Sequence, residues 1–293
     1  MKPNTRLKHF GKAICLLTLI AFSSCKKDNN AGIDETTEPT LKISSATYEW
    51  GELAINKKDQ VDSIAYNSDG KIQSVLNYDI DRSVSTNVGF SYQNNQFTLD
   101  SRYNDTYEVD ALGRVTTHKT YEVQNGYDII HIQRFTYDEN GYLNKVIILI
   151  NFDGKEGEPY STINYEVVNG NYTKFALVNT DGTVTRQYVL KYNTSKKVYN
   201  PGALFAPIFA ANTTVNIDKY LNYGKASVNL LTGVDFTIKA LNNTVTSGSF
   251  TAVTETDADN YLTSLQLTGD QIQDFPSDNL SPLPRSIKFS YKK

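Results

Sequence analysis

A short frame that recurs along the chain places strong limits on its fold. The frame has an apolar or aromatic residue, then Asn or Asp, two further residues, Gly, one residue and an apolar residue. Copies occur at 66–72, 109–115, 137–143 and 178–184. An Asx residue begins a type I turn by accepting a backbone N–H bond, and a glycine three positions later takes the left-handed conformation of a G1 bulge. Each copy therefore predicts a hairpin tip, with positive φ at Gly70, Gly113, Gly141 and Gly182.

The segments between the tips have the composition and the period of β-strands. In "STINYEVVNGNYTKFALVNTDGTVTRQYVLKY" two strand–turn boundaries fall at Asn169-Gly170 and Asp181-Gly182, and Tyr, Val, Ile, Thr and Phe dominate the rest. Many segments alternate apolar with polar residues, which is typical of a sheet with one face on a core. The alternation fails in "LNKVIILI" after Leu143, which indicates a bulge or a strand covered on both faces.

The spacing of the tips predicts an antiparallel meander. The four glycines lie 43, 28 and 41 residues apart, near multiples of about 14, which is the length of one strand plus one turn. No helical period is visible in these stretches. The predicted fold class is all-β, a meander of hairpins forming one large curved sheet or a partly open barrel.

An irregular loop insertion is predicted near 201–231. "PGALFAPIFAANTTVNIDKYLNYGKASVNLL" has two prolines, scattered aromatic residues and no period-two stretch, with a short helix expected near 218–222. A long insertion in a meander usually covers a sheet end or lines a site. Its apolar side chains either plug the core, which we favour, or form a pocket wall. The candidate ligand-binding residues are Phe205, Phe209, Tyr220 and Tyr223.

The N-terminus has the pattern of a lipoprotein signal peptide. Lys2, Arg6, Lys8 and Lys12 precede an apolar stretch of about ten residues, too short for a bilayer span of roughly 20. Two serines and Cys25 follow, in the manner of a bacterial lipobox. We therefore predict a signal peptide at 1–24, a lipidated Cys25 that anchors the chain, a polar tether at 25–40, and a single all-β domain at 41–293. Lys26 in place of Asp favours the outer membrane, at the cell surface or on the periplasmic face.

Charge excludes some partners. Four of the 29 basic residues lie in the signal peptide, which leaves 25 against 32 acidic residues, a net charge of −7. Nucleic acid is not expected as a partner of such an acidic chain, and contact with the membrane is expected through the lipid anchor.

Two resemblances rest on these motifs. The frame Tyr-Asp-x-x-Gly-x-Leu at 137–143 resembles the YD repeat of Rhs-type proteins, in which successive hairpins build a sheet or shell. With "SSCKKD", "NPGALFAPIFA", "YGKASVNLL" and "LSPLPRSIKFSYKK", the whole chain resembles an uncharacterised Bacteroidota lipoprotein family of unknown function with a porin-like β fold. The resemblance implies a fold and a location, and it implies no catalytic residues.

Residues that could carry chemistry are few. His118 and His131 each lie within a predicted strand, and a metal site needs three or four ligands. Asp79 and Asp81, like Asp257 and Asp259, would share a strand face at the separation that a glycosidase uses, although such pairs usually come from different strands. A calcium site near 153–158 or in "TDADN" competes with plain turn chemistry. We expect no catalysis, no metal and no cofactor.

The aromatic content leaves two classes of function open. The chain has 20 Tyr, 13 Phe and one Trp, and a row of exposed rings on a sheet would form a stacking platform for a sugar or peptide. The first prediction is a non-catalytic surface lipoprotein that binds an extracellular polymer, such as a glycan, or a partner protein. The alternative is a periplasm-facing carrier of a lipid or other amphiphile, and a glycan hydrolase is a distant third.

Overall fold

The computed structural model describes residues 41–49, 59–100, 105–124, 126–152, 157–200, 218–239, 242–269 and 286–292. The predicted signal peptide, Cys25, the tether, Phe205 and Phe209 all lie outside the described residues.

Strands account for most of the described chain. The first eight are β1 (Lys42–Glu49), β2 (Gln60–Tyr66), β3 (Ile72–Asp79), β4 (Val84–Gln93), β5 (Gln96–Leu99), β6 (Thr106–Val109), β7 (Val115–Gln124) and β8 (Tyr127–Tyr137). The second eight are β9 (Leu143–Phe152), β10 (Pro159–Val168), β11 (Asn171–Asn179), β12 (Val184–Lys197), β13 (Asn229–Lys239), β14 (Val245–Thr256), β15 (Leu262–Thr268) and β16 (Ser286–Lys292). A 3₁₀ helix covers Asp218–Tyr220, at the place where a short helix is predicted.

The strands form a closed antiparallel barrel. Each strand pairs with its neighbours in sequence, and β16 returns to pair with β1, for example through Phe289 opposite Ala46. The predicted all-β meander is confirmed, and the sheet closes completely. Because neighbouring strands follow one another in the chain, every pairing except the last is a hairpin or a connection between adjacent strands.

The barrel has two ends, which we call end A and end B. End A carries the connections that follow even-numbered strands, and end B carries those that follow odd-numbered strands. Gly70, Gly113 and Gly141 lie in turns at end A, whereas Gly182 lies at end B. The predicted spacing of about 14 residues per strand is wrong between Gly70 and Gly113. That interval contains four strands instead of three, because β5 and β6 have only four residues each.

The tip glycines adopt the backbone that the frame demands. Their φ values are 74, 73, 89 and 82° at Gly70, Gly113, Gly141 and Gly182. In the second copy the Asp110 carboxylate accepts backbone N–H bonds from Leu112 and Arg114, both at 2.9 Å. A fifth tip begins at Asp257 and has Asn260 at φ 67° in place of glycine. The frame missed it because Thr256 is not apolar and because only Gly was allowed at position 260, although Asn also tolerates this conformation.

Tyrosines link neighbouring hairpins around end A. Each of these hydroxyls donates to the carbonyl just past the preceding tip: Tyr92 to Ile72 (2.8 Å), Tyr137 to Val115 (2.5 Å) and Tyr291 to Leu262 (2.6 Å). Lys71 lies 5.1 Å from the centre of the Tyr92 ring and Arg114 lies 4.3 Å from that of Tyr137. Tyr137, the aromatic residue of its frame copy, therefore binds the neighbouring hairpin, and Tyr92 and Tyr291 make the same contact from strand ends outside the frame.

The wall is apolar inside and mainly polar outside. Paired residues share a face of the sheet, and the buried face includes Val75, Val88, Phe97, Tyr107, Phe135, Val146, Ile163, Phe175, Tyr188, Val234, Phe250 and Leu265. The outer positions include Ser85, Asn87 and Ser91 on β4, Thr162, Asn164 and Glu166 on β10, and Ser264, Gln266 and Thr268 on β15. A barrel that crosses a membrane has the reverse pattern, with an apolar outer band and a polar interior.

Strand β9 departs from this alternation, as its sequence predicts. Val146 and Ile148 are buried on the inner face, while Leu149 is buried on the outer face opposite Ile132. A register shift at the start of β9 also marks a bulge, because Tyr137 pairs with Leu143 and Thr136 pairs with Lys145. Both predicted explanations for the broken alternation are therefore present.

Candidate functional site

The described part of the irregular insertion crosses end A. We call residues 218–228 the plug. Its backbone contacts the tips at end A one after another: Val115 donates to Asn222, Lys225 donates to Gly141, and Val228 donates to Gly170. Tyr142 and Gly224 form an isolated antiparallel bridge. The plug therefore joins three successive hairpin tips of end A, those of β6–β7, β8–β9 and β10–β11.

Tyr223 and Tyr220 belong to the plug. Tyr223 is 1% exposed, with its ring 5.0 Å from that of Phe135 on the inner wall, and the neighbouring Leu221 is also buried. The sequence alternatives were a plug and a pocket wall, and these described residues pack as a plug. The last three residues of the predicted loop, 229–231, belong to β13 instead, because Leu231 pairs with Tyr192.

A buried polar cluster ties the plug to the first strands. The Asp62 side chain is 1% exposed and accepts hydrogen bonds from Asn77 Nδ2 (2.6 Å) and from the Tyr220 hydroxyl (2.5 Å). Lys219 Nζ lies 2.8 Å from the same carboxylate and 3.4 Å from the centre of the Tyr48 ring. Asp62 is thus a buried charge that is neutralised and hydrogen-bonded, as burial of an ion requires.

The same cluster shifts the titration of its tyrosines. Burial raises the pKa of the Tyr48 hydroxyl well above its ordinary value, and the Asp62 charge raises it further. Burial likewise raises the pKa of Tyr220, whose hydroxyl lies 3.1 Å from that of Tyr48. Both phenols therefore stay protonated at neutral pH and serve as hydrogen-bond donors. Sequence reasoning missed this cluster because Tyr220 and Asp62 are 158 residues apart.

The two histidines occupy different environments. His118 is buried, with Nε2 3.0 Å from Asp105 Oδ1, and its ring is stacked on Tyr107 with centroids 4.2 Å apart. Thr120 donates to the same Asp105 oxygen at 2.8 Å. His131 is half-buried, with Nε2 3.3 Å from Glu122 Oε1. His118 is therefore a core histidine with a satisfied partner, whereas His131 borders solvent.

The aspartate pairs do not share strand faces, so that prediction is wrong. Asp257 and Asp259 lie in the turn between β14 and β15, where the Asp257 carboxylate accepts the backbone N–H groups of Asp259 and Tyr261. Asp79 ends β3 and accepts from the Arg82 backbone at 2.9 Å, while Asp81 lies in the following turn. These carboxylates therefore stabilise turns, because Asx side chains favour hydrogen bonds from nearby backbone N–H groups.

Three strands extend beyond their neighbours at end B. The pairs between β6 and β7 reach only Thr106 with Lys119, and those between β9 and β10 reach Leu149 with Pro159. The β7–β8 pairs continue to Gln124 with Tyr127, and the β8–β9 pairs to Ile129 with Phe152. We call the protruding residues 120–124, 127–131 and 150–152 the lip.

Large apolar side chains are exposed on the lip. By the alternation of the strands, Tyr121 and Val123 lie on its outer face, and Tyr127 and Phe152 lie on its inner face. Tyr127 is 58% exposed and Phe152 is 54% exposed. Exposed apolar groups that share a face, as Tyr127 and Phe152 do, can mark an interaction surface. The aromatic content predicts a platform of exposed rings, but nothing in the sequence indicates which strands protrude.

The inner face of the lip leads down to Gln133. This residue pairs with His118 on β7 and Ile148 on β9, two positions below His131 along β8. Gln133 is 7% exposed and its Oε1 atom has no hydrogen-bond partner. The Tyr165 hydroxyl is likewise buried without a partner elsewhere on the inner wall. Such atoms are rare in folded proteins and usually have an ordered water or a ligand as partner.

Two further results concern metals and membranes. Among the described residues, no group of three or more His, Cys, Asp or Glu side chains is arranged to hold a metal ion. The same part of the chain contains no helix with the length and hydropathy needed to cross a membrane.

Among known proteins, a solved structure has a fold similar to that of this chain. No protein-family model matches the chain, and no curated protein matches its sequence. The crystal structure of a porin-like protein from Bacteroides uniformis ATCC 8492 is similar, with a TM-score of 0.57 and 15% sequence identity over 87% of this chain and 100% of that one. The chain therefore shares the β-barrel fold of that porin-like protein.

Weaker matches come from toxin assemblies. The TcdB2-TccC3-Cdc42 structure matches with a TM-score of 0.28 at 11% identity, and the Photorhabdus luminescens Tc holotoxin pore matches with 0.26 at 10%. This chain spans 14% and 13% of those chains, respectively. Likeness at this level does not test the YD-type resemblance, which stays a prediction.

Proposed function

We propose that the protein is a non-catalytic lipoprotein of the outer membrane whose barrel binds an extracellular polymer, such as a glycan, or a partner protein at the lip. The carrying observation is the gathering of exposed Tyr121, Tyr127 and Phe152 on strands that protrude from end B. Aromatic rings present large contact areas at low conformational cost, which suits both sugar stacking and protein contacts.

The polarity of the wall supports attachment through a lipid. The outer positions of the described strands β4, β10 and β15 are polar, so these three strands present no apolar band to match a bilayer. A diacylated Cys25 with an N-terminal acyl chain would hold the protein at the membrane, since each buried CH₂ contributes about 0.8 kcal/mol. The polar tether would then carry the barrel into the water next to the membrane.

The anchor is tested by the Cys25→Ala variant. It is expected to leave the membrane fraction and to remain folded in the absence of detergent, because the wall needs no lipid. Mutant protein that still sediments with membranes in high salt would overturn the lipid attachment. Added protease on intact cells distinguishes the two faces, because cell-surface protein is digested and periplasmic protein is protected.

The lip is tested with grouped substitutions. The full-length protein, purified in detergent, is applied to an array of bacterial and plant polysaccharides and of cell-surface proteins. Replacing Tyr121, Tyr127 and Phe152 together by Ser is expected to abolish the binding seen with the wild type. The matched control replaces the exposed Tyr78, Val189 and Val245, which lie elsewhere, and is expected to bind normally. Equal loss in both triple variants would contradict a site at the lip.

One observation favours the carrier of an amphiphile as a second candidate. The inner wall is apolar, and the Tyr165 hydroxyl lies on it without a partner. Closed barrels of this polarity can hold an apolar ligand. Native mass spectrometry of the purified protein separates the candidates, because a stoichiometric lipid that survives gentle activation would favour the carrier over the polymer binder.

A further inference from the structure

We propose that the inner face of the lip is a groove for a neutral carbohydrate chain, with Tyr127 and Phe152 as stacking platforms and Gln133 as the hydrogen-bond acceptor on its floor. This inference rests on the proposed function and names its ligand class and the residues that contact it. The observations that carry it are the shared face of these residues, the exposure of the two rings, and the unpartnered acceptor below them.

The strand register places these residues in one column. Tyr127, His131 and Gln133 alternate on the inner side of β8, and Phe152 pairs with Ile129 between them. From Ile129 to Gln133 the column covers four residues, about 13 Å at 3.3 Å per residue. That length suits a stretch of a chain molecule better than an ion or a single water. The two rings stand at the exposed end and Gln133 stands at the buried end.

The residues of the column favour a ligand that can donate a hydrogen bond. Gln133 Oε1 is an acceptor that is buried and unpartnered, and leaving such an atom unsatisfied costs about 1–3 kcal/mol. A ligand hydroxyl would donate to it. Sugars combine such hydroxyls with apolar C–H faces that stack on aromatic rings, so one ligand class uses both ends of the column.

The charges around the column favour a neutral ligand. Glu122 pairs with His131 at 3.3 Å, and Asp105 is hydrogen-bonded by His118 and Thr120. Among the described residues, these two carboxylates near the groove are therefore engaged by partners within the protein. Gln133 itself is neutral, so an ionic ligand would find no opposite charge on the floor of the groove.

Isothermal titration of the full-length protein in detergent tests the groove. The probes are maltohexaose, xylohexaose and mannohexaose, with oligogalacturonate as the anionic comparison. We expect the wild type to bind at least one neutral probe and to bind oligogalacturonate more weakly. Gln133→Leu is expected to lower the affinity at least about tenfold, since one lost hydrogen bond is worth about that factor. Gln133→Asn, which keeps the amide but shortens the side chain, is expected to lose less.

Two controls separate binding from folding and from the outer face. Gln133→Leu removes an unsatisfied acceptor, so its melting temperature is expected to stay the same or to rise, and lost binding is then not lost folding. Gln266→Leu, on the exposed outer side of β15, is expected to bind like the wild type. Tyr127→Ala and Phe152→Ala are expected to weaken binding, and Tyr78→Ala, at an exposed tyrosine of β3 outside the lip, is expected to leave it unchanged.

The result that overturns the inference differs from the one that overturns the proposed function. The proposed carbohydrate groove is contradicted if no neutral oligosaccharide binds the wild type, or if the Gln133→Leu variant binds the oligosaccharide as tightly as the wild type does. Binding on the array that is lost with Tyr121→Ala and kept with Phe152→Ala would also reject the groove, while the lip remained the binding surface. Array binding that survives removal of all three lip aromatics would reject the proposed function itself.

Discussion

End A and the lip belong to the same sheet, but their aromatic residues have opposite environments. At end A, Tyr137 donates to a neighbouring hairpin and Tyr223 of the plug is buried against the inner wall, so the rings hold the barrel together. On the lip, Tyr127 and Phe152 are more than half exposed. The comparison shows that tyrosine content alone does not indicate function in this protein. Whether a ring is buried or exposed depends on whether its strand has a paired neighbour on both sides at that position.

The largest effect on stability is expected at end A, when the Asp62 charge that holds the plug is removed. Asp62→Ala removes the buried carboxylate that pairs with Lys219 and that accepts hydrogen bonds from Tyr220 and Asn77. We expect a loss of about 3–5 kcal/mol in the free energy of unfolding, measured in urea. The matched control is Asp235→Ala, which breaks an exposed pair with Lys191 and is expected to lose about 1 kcal/mol or less. Equal losses would show that the plug is not held by this cluster.

Alkaline pH is expected to weaken the buried wall and not the lip. Burial raises the pKa of Tyr188 to about 12. The folded protein then keeps this proton between pH 10 and 12 while the unfolded chain loses it, so stability is intact below pH 10 and falls as the pH rises to 12. Two pKa units correspond to a loss on the order of 2 kcal/mol.

Unfolding in urea at pH 9 and pH 11.5 measures this effect. The Tyr188→Phe variant has no proton to lose at this position and is expected to show a smaller fall across the same window. A variant that falls as steeply as the wild type would show that other groups cause the alkaline loss.

Two glycines with positive φ sharpen the comparison between the ends. Gly182 at end B has φ 82° and open space where a Cβ would lie, so Gly182→Ala is expected to cost about 1–2 kcal/mol from backbone strain alone. Gly224 in the plug has φ 87°, and a Cβ there would collide with the Gly141 carbonyl oxygen. Gly224→Ala is therefore expected to cost more than Gly182→Ala in thermal or urea unfolding. The reverse order would mean that the plug adjusts to the added methyl group.

The smallest effect on stability is expected on the lip. Tyr127→Ala removes a ring that is 58% exposed, so the free energy of unfolding is expected to change by about 0.5 kcal/mol or less. Tyr223→Ala is the comparison at end A, where loss of a buried aromatic side chain is expected to cost about 3–5 kcal/mol. A large destabilisation by Tyr127→Ala would assign the lip a structural role and weaken the case for a binding surface there.

The candidate site was only partly accessible to sequence reasoning. The insertion near 201–231 was recognised as irregular because it lacks a strand period, and its short helix was placed close to Asp218–Tyr220. The lip was not recognised, although "RVTTHKTYEV" and "DIIHIQRFTY" were identified as strands. Its protrusion depends on how short β6 is and where β10 begins, and strand ends are poorly defined by local patterns. Gln133 gave no signal, because one glutamine in a strand is ordinary until its surroundings are known.

The sequence by itself determined the local conformations of this protein. An Asx residue and a glycine at fixed spacing dictate a tip through bonds within five residues, as at Asp110 and Gly113, and alternating side chains dictate strands. Tertiary structure alone decided the closure of β1 on β16, the pairing of Asp62 with Lys219, and the exposure of Phe152. The physical reason is range: turns are stabilised by neighbours in the chain, whereas closure and the Asp62–Lys219 pair join residues more than a hundred positions apart. The exposure of Phe152 depends on where the neighbouring strands begin and end.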